Sequence, residues 1–190
     1  MNKHQLIYSV AFLAMVSFRS LAQAQAQALN SRETQALSGA TVSLSQAVEI
    51  SEKQALGKSV GAEFDIEKGR AVWEVKVLNS AGLQEFKVDA ITGQVIKIEE
   101  EHLRGRLTNF VTGMNLKDLE NSKTTLAQAV AMAESQSKGK AVKVQVEHER
   151  GGVQFDVFMR VGDSTKKMKI DAASGKTVWE TFRGDLFERG

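Results

Sequence analysis

Few side chains in this chain could do chemistry. It holds three histidines, His4, His102 and His148, and no cysteine. Thiol catalysis and Cys-ligated zinc are therefore excluded. His148 lies in the run Glu147-His148-Glu149, where strand alternation sends both carboxylates to the face opposite the imidazole. A metal site on one strand needs ligands two residues apart, so this run reads as solvated strand residues. His102 follows Glu99, Glu100 and Glu101, an acidic run that suits a strand end or a linker. No glycine-rich phosphate loop, nucleophile elbow or Ser-His-acid arrangement is legible. The chain is expected to lack catalytic residues, metal ligands and a cofactor.

One carboxylate does recur in a fixed setting. "KVDAITGQVIKI" at Lys87–Ile98 and "KIDAASGKTVWE" at Lys169–Glu180 write nearly the same turn twice. Asp89 and Asp171 can accept from backbone amides of such a turn, and Gly93 and Gly175 can take the positive φ that a tight hairpin requires. Both aspartates read as architectural acceptors rather than as bases.

The turns belong to a longer repeat. At an offset of 82 residues the chain matches itself without a gap from Ser43 to Ile98, with about 15 of 56 positions identical. Ser43 with Gln46, and Thr125 with Gln128, spell a capping box at the start of a helix. Leu44, Ala47, Val48 and Ala55 share one helical face, as do Leu126, Ala129, Val130 and Ala133. Gly57 and Gly139 stand where each helix should end in the left-handed conformation. Alternation follows: Phe64 and Ile66, then Trp73, Val75 and Val77, then Phe86 and Val88, then Ile96 and Ile98. Copy two repeats this with Phe155, Val157, Met159, Met168, Ile170 and Val178. The expected fold is α+β: two tandem units, each one helix packed on a four-stranded antiparallel meander sheet.

The first residues read differently. Lys3, the apolar run "LIYSVAFLAMVSF" and "RSLAQAQAQA" describe a secretory signal peptide over residues 1–28, too short in its apolar part to span a bilayer. A linker is expected over 29–40, the first unit over 41–100, a linker over 101–122, and the second unit with its tail over 123–190. Removing the leader takes away Lys3 and Arg19, which cancels the formal net charge of +2. With no basic excess, neither nucleic-acid binding nor stable membrane insertion after cleavage is expected. The halves still differ, at about −3 for 29–105 and about +3 for 106–190.

Helix "SLSQAVEIS", strand "AVWEVKV" and closing "KVDAITGQVIKIE", in that order, resemble a PepSY domain. The second copy, with "TLAQAVAMAES", "VQFDVFM" and "KIDAASGKTVWE", is similar more loosely: Phe155-Asp156 replaces Trp73-Glu74, and Ser174 replaces Thr92. The resemblance implies an exported, non-enzymatic module in the bacterial periplasm or outside the cell, of the kind found in propeptides of thermolysin-like metallopeptidases and in free-standing envelope proteins. It implies a protein partner, with a metallopeptidase regulated or inhibited in trans, since no peptidase domain follows within these residues. A second expectation is an accessory or ligand- or metal-sensing subunit of an envelope signalling or redox system, resting on His102 with its acidic run and on His148 with its flanking glutamates.

The copies disagree most on the sheet face turned away from the helix. Copy one carries Glu74, Lys76, Glu85, Lys87 and Lys97 there. Copy two has Phe158 at the place of Lys76 and Trp179 at the place of Lys97, rimmed by Arg160, Lys167 and Lys169. Aromatics on an outer face ringed by cations are what a contact surface looks like. Phe158, Trp179, Arg160 and Lys169 are therefore the expected partner-binding residues, unless the apolar segment His102–Leu119 or the tail after Glu180 folds back over the aromatics.

Overall fold

The computed structural model describes residues 31–101, 116–149, 152–162 and 164–180. The expected signal peptide, His102, most of the apolar linker and the tail lie outside the described residues. Residues up to Gly39 form one unit, of which the helix α1 (31–39) is described, and Ala40–Gly190 form a second compact unit.

Within that second unit each copy is one helix followed by four antiparallel strands, as the patterning predicts. Copy one contains α2 (Leu44–Ala55), β1 (Lys58–Glu67), β2 (Arg70–Asn79), β3 (Gly82–Asp89) and β4 (Val95–Glu101). A short helix α3 (Leu116–Glu120) precedes copy two, which contains α4 (Leu126–Ser137), β5 (Lys140–Glu149), β6 (Gly152–Val161), β7 (Ser164–Asp171) and β8 (Thr177–Glu180). Both capping boxes form: the Ser43 and Thr125 hydroxyls accept from the amides of Gln46 and Gln128, whose side chains accept from the cap amides in return.

The helix ends correct one expectation. The left-handed residues are Leu56 (φ 52°) and Lys138 (φ 56°), one position before the glycines. Gly57 and Gly139 are needed for closeness instead. A Cβ at Gly57 would stand 2.5 Å from the Leu78 carbonyl oxygen, and one at Gly139 would collide with the Arg160 carbonyl. Each helix is then tied to its first strand by a carboxylate: Glu52 accepts from the Ser59 amide at 2.7 Å and Glu134 from the Ala141 amide at 3.0 Å. Beside each tie the strand bulges, at Val60 between Ser59 and Gly61 and at Val142 between Ala141 and Lys143.

The two meanders share one sheet. Its order is β4-β3-β2-β1-β5-β6-β7-β8, because β1 and β5 pair antiparallel through Gly61↔Gln145, Ala62↔Val144 and Glu63↔Lys143. Ala62 and Val144 are equivalent positions at the 82-residue offset, and they pair with each other. A pseudo-two-fold axis therefore passes between them, relating copy to copy. The helices lie together on one face, where Ala47, Ser51, Ala129 and Ala133 are fully buried and small enough to let the axes approach. Beneath them run Val75, Val77, Phe86, Val88, Phe155, Val157, Met159, Met168 and Ile170, all at most 1% exposed. Trp73 packs edge-on against Phe64 at 5.1 Å and donates its indole N–H to the Val42 carbonyl at 2.9 Å.

Candidate partner-binding face

The sheet face away from the helices carries the charged residues of both copies, positioned by register. Asp89 and Asp171 close the hairpins that set this register. Asp89 Oδ1 accepts from the amides of Ile91 and Thr92 at 2.9 and 2.8 Å, and Gly93 follows at φ 73°. Asp171 Oδ1 accepts from the Ser174 amide at 2.7 Å and from its hydroxyl, and Gly175 has φ 70°. Bonds from the turn, led by the Thr92 amide, hold the Asp89 carboxyl below its ordinary range. The Ser174 hydroxyl and amide do the same for Asp171. These carboxylates build turns, as read from their spacing.

In copy one the face is organised around Lys87. This lysine is only 8% exposed, and its Nζ lies 2.9 Å from Glu74, 3.4 Å from Glu67, 3.9 Å from Glu85 and 4.0 Å from Glu99. The bond to Glu74 raises its pKa well above the ordinary lysine range, against the opposing effect of burial, with the charges of Glu74 and Glu67 adding to it. Lys76 pairs with Glu85 at 3.6 Å and Lys97 with Glu99 at 2.7 Å.

Copy two inverts this arrangement. Asp156 stands at the place of Glu74 but is one methylene shorter, and it is 5% exposed. Its Oδ2 pairs with Lys167 Nζ at 3.2 Å, from the position that Glu85 holds in copy one. Its Oδ1 is buried with no hydrogen-bond partner among the described residues. Phe158 lies between Lys143 and Lys167 in the register, and Lys169 lies opposite Asp156. Arg160 follows Phe158 on the same face by alternation. The structure thus brings Phe158, Arg160, Lys167 and Lys169 together, as expected.

Two features differ from the expectation. Phe158 is only 6% exposed, so it is anchored within the chain rather than displayed. Trp179 does not take the register position of Lys97. In copy one a bulge at Ile96 returns Lys97 to a position opposite Lys87. Strand β8 has no such bulge, so Val178 stands opposite Lys169 and Trp179 opposite Met168. Val178 is 59% exposed on the outer face, not turned to the helices as its place in the alternation suggested. The Trp179 side chain lies outside the described residues.

Sequence reasoning also missed the junction. Gly61 stands where copy two has Lys143, and Lys143 crosses to Glu63 at 2.9 Å. The missing side chain leaves a depression of about 180 Å³ lined by Glu63, Glu74, Lys76, Lys143 and Gln145. A glycine inside a strand pattern was the available signal. His148 is exposed, and among the described residues no group of three or more His, Asp or Glu is placed to hold a metal ion. No helix among the described residues is long and apolar enough to cross a membrane.

Comparison with known proteins bears on residues 41–99, which match the family described as "PepSY: Peptidase propeptide and YPEB domain". No curated protein matches the chain. Among solved structures, a candidate lipoprotein from Clostridium difficile 630 is similar at 18% identity, over 74% of this chain and 95% of that one, with a TM-score of 0.44. The matched span runs from two residues before the first capping box through the Asp89 turn and into β4, so it is the α2–β4 copy that is similar to the PepSY family.

Proposed function

We propose that this chain is an exported, non-catalytic binding protein that regulates a peptidase in the cell envelope or outside the cell, acting in trans. The observation that carries this reading is the match of residues 41–99, from before α2 into β4, to a family described as "Peptidase propeptide and YPEB domain". The second copy is proposed to be a diverged PepSY domain, since it repeats the capping box, the helix-to-strand carboxylate tie and the aspartate turn. Its outer face is the proposed contact surface, with Arg160, Lys169 and Val178 meeting the partner around Phe158.

The test is a titration of the leaderless protein into a thermolysin-like metallopeptidase. Dose-dependent, saturable slowing of peptide hydrolysis with the chain intact supports regulation. Digestion of the chain with no slowing contradicts it. The double variant Arg160→Glu plus Lys169→Glu is expected to raise the half-inhibitory concentration by about tenfold or more if the face is correctly assigned. An unchanged value would move the contact elsewhere.

A further inference from the structure

Among the described residues the sheet ends on β4 and β8, and the copies have diverged at those edges. Strand β4 runs over seven described residues and β8 over four described residues. Ile91, Ile96 and Ile98, in β4 and the turn before it, are exposed at 50%, 38% and 44%. Their counterparts in copy two are Ala173, Val178 and Glu180. An edge with unpaired backbone groups and exposed apolar side chains is a template for another strand.

From the sequence of β4, "VIKIEEE" (Val95–Glu101), we infer that the occupant is a second copy of this chain, paired β4 to β4 antiparallel about Ile98. In that register Ile98 meets Ile98, and Lys97 of each copy meets Glu99 of the other, twice over. Lys97 and Glu99 already pair within the chain at 2.7 Å, so two copies form a square of alternating charge that breaks no existing bond. No like charges fall directly opposite one another. The molecule uses the same solution internally, where β1 and β5 meet about a pseudo-two-fold axis with Lys143 reaching Glu63 across the strands. Isologous pairing of this kind closes at a dimer. The inference is independent of the peptidase reading.

The experiment is sedimentation velocity on the leaderless chain from about 10 μM to about 1 mM, a range that covers weak edge pairing. The mass is expected to rise towards twice the monomer value, and Ile98→Lys is expected to weaken association at least about tenfold. Val178→Lys on the opposite edge should leave it unchanged. A charge swap tests the register with no loss of folding. Lys97→Glu alone and Glu99→Lys alone each set like charges opposite and should be monomeric, whereas their equimolar mixture restores both pairs and should dimerise. Monomer throughout the range overturns the proposal. So does a dimer that survives Ile98→Lys, or a mixture no more associated than its parts.

Discussion

Replacing Lys87 by Met keeps the aliphatic stem and removes the ammonium around which copy one's outer face is built. Its shortest contact, 2.9 Å to Glu74, is a charge-assisted bond between side chains 10% and 16% exposed, worth about 1.5–3 kcal/mol. Glu67 and Glu99, at 32% and 44% exposure, are rehydrated easily and add little. Burial of the ammonium offsets part of this, leaving an expected loss of about 2–3 kcal/mol. For a chain of this size that lowers Tm by roughly 4–12 °C. Urea unfolding should show a lower midpoint with an unchanged slope. The folded pKa of Lys87 lies above its unfolded value of 10.5, so its contribution is complete below that value and is lost only as pH rises through the folded one. The gap between wild type and Lys87→Met should therefore stay constant between about pH 6 and about pH 9. A loss under about 0.5 kcal/mol, or a gap that closes within that window, would refute the reasoning.

Two further predictions concern the turns and helix ends. Gly57→Ala and Gly139→Ala each drive a methyl into a strand carbonyl and should cost about 2–3 kcal/mol by thermal unfolding, while Gly69→Ala, at φ 82° with open space around it, should cost only about 1 kcal/mol; equal losses would contradict the close approach. Asp89 and Asp171 are held below their ordinary value of 3.8, so their contribution is present above that value and is lost as pH falls through the lower folded one. Stability followed from about pH 6 to about pH 2.5 should drop at the acid end, and the drop should be smaller in Asp89→Ala, which starts out less stable.

Elements within a copy were legible because their signals are local. Ser43 and Gln46 sit within one turn of helix, Asp89 and Gly93 within one hairpin, and the alternation of Trp73, Val75 and Val77 needs only the pleat. Features that depend on a second strand were not. The pairing of Ala62 with Val144 joins residues far apart in the chain, and nothing in "EFDIE" separates an interior strand from an edge. The bulge at Ile96 and its absence in β8 shift one register by a single residue, which moved Val178 from its expected face and Trp179 from its expected register position. Phe158 was read onto the right face, but its burial depends on packing that alternation does not encode. The helix-ending glycines were placed correctly and explained wrongly, since a close backbone approach and a left-handed φ leave the same residue in the sequence.

The central claim is that two copies of one module are fused edge to edge about Ala62 and Val144 into a single sheet. Amide hydrogen exchange across that junction tests it most directly. In an interior strand every amide is bonded, whereas an edge strand leaves alternate amides free. The account predicts strong, uninterrupted protection at Gly61, Ala62 and Glu63 and at Lys143, Val144 and Gln145. Rapid exchange at alternate residues of β1 and β5 would show two separate four-stranded sheets and contradict it.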